Sequence, residues 1–298
     1  MFKGCTMSPK CNLIIDSCCD LPFDIVDRSG VALVNFTYHD ADGDHTDDLW
    51  QSEDMRTFYD KMRKGSTPTT SCVSPTLMRE AFERAAKSGI PTVYLCFSSG
   101  LSSHHEGVCA TLEDVLAAHG PADVRIVDTH LASTGEALLV FEALRKREEG
   151  FTADEMVEWA TEAQYMVQTY FMVDNLDALN HGGRIPKGIA FAGTKLNVKP
   201  ILAFNLDGGL AIAGAARGRN KALRILAEKF RDDVDAQLPS TVCMGHADCE
   251  KDMLRLKSLL HEDGRPLQIV PHLIGPVIGS HVGPGMVSIS FWGHDRRK

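Results

Sequence analysis

The segment Thr92–Ser103 reads TVYLCFSSGLSS, and the organisation of the chain around it follows from its abrupt change of character. Residues 93–97 are apolar on both faces, which is typical of a strand inside a parallel sheet covered on both sides. The serines follow at the carboxyl end of that strand, the edge where open α/β sheets bind ligands. A helical pattern resumes at His104, so the loop precedes a helix N-terminus that favours a carboxylate or phosphate group. Serines in this position also act simply as helix caps and turn residues.

The composition is that of a soluble globular protein with enough apolar residues for two domains. The chain has 298 residues, is 44% hydrophobic and 24% charged, and carries a net charge of −9. That charge disfavours nucleic-acid or anionic lipid surfaces, which need clustered lysine and arginine. No apolar run has the length of a transmembrane span, and the first residues lack the apolar stretch of a signal peptide. We therefore expect a cytoplasmic protein without an integral membrane segment.

Metal binding is not predicted. The nine cysteines are scattered and odd in number, which favours reduced thiols over a disulfide framework. Cys243, His246 and Cys249 form a possible trio, but the first two lie in a strand pattern whose side chains alternate in direction. The acidic segment 40–48 places its glycine wrongly for an EF-hand loop and is better interpreted as a polar hairpin.

Strand and helix patterns alternate from residue 13 to about residue 166, which predicts a parallel, right-handed α/β domain over residues 1–167. In this part we expect one strand over residues 31–38. From Gln168 onward the strands are paired by turns, so residues 168–298 are predicted to form a smaller α+β domain with a mixed sheet. Its last connection, residues 275–285, reads GPVIGSHVGPG and is interpreted as a glycine-rich segment whose one titratable side chain is His281.

Six motifs, in order along nearly the whole chain, resemble those of the DegV family of bacterial fatty-acid-binding proteins. They are DSCCDL at 16–21, TSCVS at 70–74, SSGLS at 98–102, LNHGGRI at 179–185, LNVKPIL at 196–202 and GPVIGSHVGPG at 275–285. Cys72 and Val73 depart from the family pattern, which has glutamine and proline there, and Ser103-His104 stands where the family has glycine and threonine.

The resemblance implies a long-chain fatty acid such as palmitate buried between the two domains, with no other cofactor. The carboxylate contacts carry over to Thr70, to Ser98 or Ser99, and to His281. The resemblance also implies a role in lipid metabolism, in which the protein presents its ligand to the catalytic subunit of a fatty-acid kinase for conversion to acyl phosphate. On this interpretation the protein has no catalytic residues of its own.

Physical chemistry agrees with such a site. A carboxylate buried without partners is costly, so it needs several donors, and hydroxyls with helix-terminal amides supply them without a full positive charge. About 15 buried CH₂ groups at about 0.8 kcal/mol each offer on the order of 12 kcal/mol, against an association cost of about 4–15 kcal/mol. The tail therefore dominates affinity and the carboxylate sets orientation.

Two other function classes agree less well with the sequence. A serine-dependent acyl hydrolase or acyltransferase would use a loop serine with His281, but the chain has no G-x-S-x-G elbow and no acidic residue evidently placed to orient His281. A DNA-binding regulator is disfavoured by the net charge.

The densest basic patch, ARGRNKALR at 216–224, includes Arg217 and Arg219. It is either a solvated helix end or a contact for the partner kinase. Arg184 is open to the same two interpretations, as a brace at the domain junction or as a partner contact.

Overall fold

The computed structural model describes residues 9–185, 197–261 and 264–298. Residues 1–8, which were expected not to form a signal peptide, and Leu196 of the fifth motif lie outside these ranges. In chain order the described strands are β1 (Asn12–Asp16), β2 (Ala32–Val34), β3 (Thr37–Asp40), β4 (Gly43–Thr46), β5 (Thr69–Ser71), β6 (Thr92–Cys96), β7 (Val124–Asp128), β8 (Val167–Met172), β9 (Val198–Phe204), β10 (Leu210–Arg217), β11 (Thr241–His246), β12 (Gln268–Leu273) and β13 (Val287–Trp292).

The described α-helices connect and cover these strands. They are α1 (Phe23–Ser29), α2 (Met55–Arg63), α3 (Pro75–Ser88), α4 (His104–His119), α5 (Ser133–Glu148), α6 (Ala153–Ala163), α7 (Asp177–His181), α8 (Arg219–Asp233), α9 (Glu250–Leu260) and α10 (Pro276–Val282). Within the described ranges, no helix has the length and apolar character needed to cross a membrane.

The first sheet is parallel and has the strand order β2-β1-β6-β7. All five residues of β6 are buried, as its two-sided apolar pattern predicts. The α-helices α3 and α6 begin at capping residues that the sequence indicates, and α3 also ends at one. The Ser74 hydroxyl caps α3 by accepting a hydrogen bond from the Leu77 N–H, and α3 ends at Gly89, which has a left-handed φ of 66°. Thr152 and Glu155 form the capping box that opens α6.

The second sheet is mixed and has the order β10-β9-β8-β13-β11-β12. β13 lies between β8 and β11 and is antiparallel to both, whereas β11 and β12 are parallel. Val242 and Cys243, which are adjacent in β11, pack into different hydrophobic clusters, so both faces of this sheet are covered. Helix α5 contacts β8, β11 and β13. Helix α8 contacts β8, β9 and β10 of the same sheet, and α9 contacts β11 and β13.

A third, small sheet corrects the expectation of one strand over residues 31–38. β2 pairs with β1 in the parallel sheet, whereas β3 joins β4 and β5 in a separate antiparallel sheet. The chain leaves the first sheet at Asn35 and Phe36, and both residues donate hydrogen bonds to groups outside that sheet. The Phe36 N–H donates to the Ser17 hydroxyl at 3.0 Å, and the Asn35 side-chain amide donates to the Asp47 carbonyl at 2.6 Å.

The glycine-rich segment 275–285 is also more regular than the sequence indicates, because it contains the helix α10. Pro276 occupies the first helical turn, where a missing N–H is tolerated. Gly279 is required by a close contact, since a Cβ at this position would lie 2.5 Å from the Tyr59 hydroxyl oxygen. That hydroxyl donates to the Ile274 carbonyl at 2.8 Å, so Tyr59 anchors the chain just before α10.

The predicted fold class is confirmed: the protein combines a parallel α/β sheet with a separate mixed sheet covered by helices. The division at residues 167 and 168 stays a prediction. Helix α5 precedes that division yet packs on the mixed sheet, and one hydrophobic cluster includes Leu13, Leu139 and Trp292 together.

Candidate functional site

A paired hydroxyl and imidazole define the candidate site. Thr70 lies on β5, which the small sheet holds by pairing Thr70 with Tyr38 on β3. His281 lies in the last turn of α10. The Thr70 Oγ1 and His281 Nε2 atoms are 2.9 Å apart, although the two residues are 211 positions apart in sequence. The structure therefore brings together two of the residues that the sequence indicated for the carboxylate.

This pair retains one hydrogen-bond donor beyond the bond that joins its members. A neutral imidazole has one N–H and Thr70 has one O–H, and only one of these two protons lies between Oγ1 and Nε2. If Thr70 donates, the spare proton is on Nδ1 of His281, which is buried and has no partner among the described residues. If His281 donates, the spare proton is on Thr70. Because Gly182 packs against Nδ1, the second arrangement is the one in which the spare proton, on Thr70, can reach an incoming carboxylate.

The surroundings of His281 keep the ring neutral. Burial, together with the nearby charges of Arg184 and His181, lowers its pKa from 6.5 to about 4. At pH 7 the imidazole is therefore uncharged and acts as a hydrogen-bonding group rather than as a cation.

Gly182 allows this arrangement. A Cβ at residue 182 would lie 2.1 Å from His281 Nδ1, so only glycine lets the end of α7 approach the ring. The neighbouring Gly183 has a different requirement, since its φ is +70° and no atom lies within 4 Å of an added Cβ. In the LNHGGRI motif, Gly182 is thus needed for a close contact with His281, and Gly183 is needed for a turn.

Arg184 supplies the positive charge nearest to the pair. Its Nε donates to the Leu101 carbonyl at 3.0 Å and its Nη1 donates to the Gly182 carbonyl at 2.5 Å. The side chain is half-buried and lines the same cavity as Thr70 and His281. Of the two interpretations of Arg184, these contacts favour the brace between the serine loop and α7.

The cavity behind the pair is predominantly apolar. Its empty space is about 780 Å³ with its mouth included. Residues of the mixed sheet, of β5 in the small sheet, of the connecting loops and of α10 form its wall. The apolar lining residues are Phe36, Phe97, Leu101, Ala132, Phe171, Leu179, Phe204, Leu210, Val277, Ile278, Val282 and Met286.

Ser98 and Ser99 are not among the residues that line this cavity. The Ser98 hydroxyl is buried and donates to the Gly208 carbonyl at 2.9 Å, and Ser99 is exposed, with its N–H donating to Asp128 at 3.2 Å. The serine of this loop that does line the cavity is Ser102, whose hydroxyl lies 3.4 Å from the Cys72 sulfur. Sequence reasoning missed Ser102, because the motif does not show which hydroxyl a neighbouring carbonyl binds.

Comparison with known proteins identifies the family. The sequence model described as "Uncharacterised protein, DegV family" matches residues 10–293. The chain belongs to the DegV family. A DegV domain-containing protein of Clostridium perfringens is 34% identical over 281 residues, covering 94% of this chain and 97% of the relative.

Two solved DegV structures have the same fold. The Thermus thermophilus structure, described as fatty acid binding of a DegV family protein, has a TM-score of 0.84 at 28% identity and covers 95% of this chain and 99% of its own. A DegV lipid binding protein from Thermotoga maritima has a TM-score of 0.81 at 27% identity, with 96% and 99% covered. The recognition of the DegV motifs in the sequence is thereby confirmed.

The two arginines of the basic patch differ in this DegV protein. Arg217 is exposed. Arg219 is half-buried and donates three hydrogen bonds, to Asp252 at 2.7 Å, to Asp174 at 2.7 Å and to the Gly285 carbonyl at 2.8 Å. Both interpretations of the patch, a solvated helix end or a kinase contact, require exposed side chains. That requirement is not met by Arg219, because its guanidinium joins α8 to the chain around β8, α9 and α10.

One group of buried ligand atoms has the spacing of a metal site. Side-chain atoms of Asp16, Cys96 and His104 lie within 4.8 Å of one another. The Tyr94 hydroxyl is bonded to two of them, at 3.1 Å from Asp16 Oδ2 and 2.9 Å from His104 Nε2. Burial lowers the pKa of His104 to about 4, so its ring is neutral at pH 7. These contacts describe a hydrogen-bonded core network centred on Tyr94.

Proposed function

We propose that this protein binds a long-chain fatty acid in the cavity and presents it to the catalytic subunit of a fatty-acid kinase for acyl-phosphate formation. The observation that carries the proposal is the spare donor of the Thr70–His281 pair at an otherwise apolar cavity. The carboxylate accepts that donor, and the hydrocarbon chain lies along the apolar wall. The fatty-acid binding named for the Thermus thermophilus relative supports the same ligand class.

The charges at the pair suit a carboxylate that must later react. Neutral donors hold the anion without forming a tight ion pair, and Arg184 adds a positive charge that is already shared with two carbonyl groups. Affinity then comes mainly from the buried tail at about 0.8 kcal/mol per CH₂ group. The bound carboxylate consequently remains available to a phosphoryl donor.

A carrier fits the site better than a serine-dependent acyl hydrolase or acyltransferase. In a hydrolytic triad, an acidic group orients the catalytic histidine through its second nitrogen. His281 Nδ1 has no partner among the described residues, and Gly182 occupies the space beside it. A pKa of about 4 also makes His281 a weak general base at pH 7.

The cytoplasm is the compartment we propose for this activity. Eight cysteines within the described ranges are free thiols, and five of them are buried. Unpaired thiols are the usual state in a reducing compartment. The exposed Arg217 is the part of the basic patch that we propose as a contact for the kinase.

The ligand is tested first by mass spectrometry of lipid extracted from the purified protein, followed by calorimetry of the delipidated protein with palmitate. We expect a co-purified long-chain fatty acid and a saturable binding isotherm. Protein that is lipid-free and also fails to bind palmitate would refute the proposal.

The carrier role is tested separately with chromogenic acyl esters and with a fatty-acid kinase and ATP. We expect no ester hydrolysis above background and acyl phosphate only when the kinase is present. Hydrolysis that is lost on substitution of His281 would instead establish the enzyme.

A further inference from the structure

A chain of four buried hydroxyls runs beside the cavity, separate from the Thr70–His281 pair. We call it the hydroxyl chain, and it consists in order of Thr169 on β8, Ser290 on β13, Thr134 on α5 and Ser288 on β13. The successive oxygen–oxygen distances are 2.9 Å, 2.9 Å and 3.1 Å. Thr169, Thr134 and Ser288 line the cavity, and all four residues are buried.

Counting protons shows that one O–H of this chain has no acceptor within it. Four hydroxyls carry four protons, and three hydrogen bonds use three of them. Thr134 donates to Ser288, which requires Ser290 to donate to Thr134 and Thr169 to donate to Ser290. The remaining proton is then on Ser288. If the whole chain were reversed, the remaining proton would be on Thr169.

Both ends of the hydroxyl chain face the cavity, so the spare proton lies at its wall in either direction. Two glycines pack directly behind these ends. A Cβ at Gly245 would lie 2.6 Å from Ser288 Oγ, and one at Gly135 would lie 2.5 Å from Thr169 Oγ1. In the part of the chain that the structure describes, neither hydroxyl bonds to a further acceptor. The cavity is therefore the open side from which an acceptor can approach.

An unsatisfied donor in a buried wall disfavours a plain hydrocarbon beside it, because burying a polar group without a partner costs free energy. We propose that the cavity selects fatty acids whose chain carries a hydroxyl or keto oxygen at the depth of Ser288 and Thr169. The inference rests on the proposed function, since the carboxylate at Thr70 and His281 fixes which part of the chain reaches the hydroxyl chain.

The test measures a ratio of affinities on delipidated protein by calorimetry. Octadecanoate is compared with a series of its mid-chain hydroxy and keto derivatives, and the alpha-hydroxy isomer serves as the control because its oxygen stays near the carboxylate. We expect at least one mid-chain isomer to bind roughly two- to tenfold more tightly than octadecanoate, as one hydrogen bond allows. The alpha-hydroxy isomer should show no such gain.

Variants identify the responsible proton. Ser288→Ala should bring the ratio for the preferred isomer close to one if the spare proton is on Ser288, and Thr169→Val should do so if it is on Thr169. Ser288→Cys keeps nearly the same volume with a weaker donor, so an intermediate ratio is expected even if the alanine variant does not fold.

The outcomes separate this inference from the proposed function. Failure of octadecanoate and of every derivative in the series to bind would overturn both. Binding of octadecanoate with no mid-chain isomer preferred would overturn only the inference. A preference that survives in both Ser288→Ala and Thr169→Val would overturn it as well.

Discussion

The Thr70 hydroxyl is one of the two polar atoms that form the candidate carboxylate pair. We expect Thr70→Ala to weaken palmitate binding by about 1–3 kcal/mol, because one hydrogen bond to a charged acceptor is lost and His281 loses its partner. Thr70→Ser is the matched control, since it keeps the hydroxyl. Calorimetry on the delipidated proteins measures the difference. An alanine variant with the affinity of the unmodified protein would remove Thr70 from the site.

The carboxyl of Asp20 gives a prediction about pH. Burial raises the pKa of Asp20 to about 7, opposed by hydrogen bonds from Ser133 and Gly275, and burial likewise raises the pKa of Asp16 to about 7. The folded protein therefore binds more protons than the unfolded chain between the ordinary aspartate pKa of 3.8 and about pH 7. The stability that these two groups contribute at low pH is lost as the pH rises through that interval.

Buried histidines change the stability in the opposite direction over an overlapping pH range. Burial lowers the pKa of His104, His272 and His281 from 6.5 to about 4, so their contribution rises with pH until the unfolded histidines are deprotonated, about one unit above 6.5. We therefore expect the free energy of unfolding to fall most clearly between about pH 7 and about pH 8. Urea denaturation at several pH values measures the slope.

Asp20→Asn provides the control for that slope. Asparagine can accept from Gly275 and donate to Ser133, and it tolerates the left-handed φ of 52° at this position. The slope above about pH 7 should become shallower in this variant. An unchanged slope would show that Asp20 does not titrate in this range.

Single residues also show why sequence reasoning found only part of the site. Thr70 and His281 were named because their motifs resemble those of a known family, and the structure places the two side chains 2.9 Å apart. Ser98 and Ser102 lie in the same motif and have the same side chain. They differ in their hydrogen-bond partners and in whether they line the cavity. The Ser98 hydroxyl is bound by the carbonyl of Gly208, which is 110 positions away, so no local pattern could distinguish the two.

Among the helices, the approach of α7 to α10 depends on Gly182. We expect Gly182→Ala to displace His281 and to weaken palmitate binding about tenfold, or about 1.4 kcal/mol, while the fold is retained. Calorimetry with palmitate and circular dichroism measure the two effects. Gly183→Ala is the matched control, because it strains a positive φ without meeting any atom and should lower stability without a comparable loss of binding. Equal losses of binding in both variants would contradict this account.

Helix boundaries were the part of the fold most accessible from the sequence. Ser74 with Pro75, the capping box at Thr152 and the glycine at 89 are local signals, and local hydrogen bonds satisfy them in the structure. The helix α10 was missed because the contact that requires its glycine is with a residue distant in sequence. Each glycine in a helix interior costs about 1 kcal/mol relative to alanine, and here the contact between Gly279 and Tyr59 outweighs that cost.

Across the whole molecule, the basic patch separates into a surface residue and a structural one. We expect Arg217→Glu to slow acyl-phosphate formation with the kinase and ATP, most strongly at low salt, because an exposed charge mainly sets the rate of encounter. Palmitate affinity measured in parallel should stay unchanged. Equal rates at low salt for the variant and the unmodified protein would show that Arg217 lies outside the docking surface.

Arg219→Glu should behave differently, which makes it the contrast to Arg217→Glu. It would place a third carboxylate beside Asp174 and Asp252 and remove the hydrogen bond to Gly285. We expect a lower midpoint of urea denaturation for this variant, whereas Arg217→Glu should have nearly the midpoint of the unmodified protein. A midpoint unaffected by Arg219→Glu would contradict the bracing role.

The central position of β13 in the mixed sheet has a consequence for synthesis on the ribosome. Because β13 joins β8 to β11, the strands β10-β9-β8 and β11-β12 have no hydrogen-bonded connection until residues up to Trp292 have been translated. Once β12 has been translated, late in elongation, the nascent chain carries two incomplete sheets with open edges, and such edges are sites of aggregation. The same late segment delivers α10 and therefore His281, so the lipid site and the completed sheet should form in a single closing event.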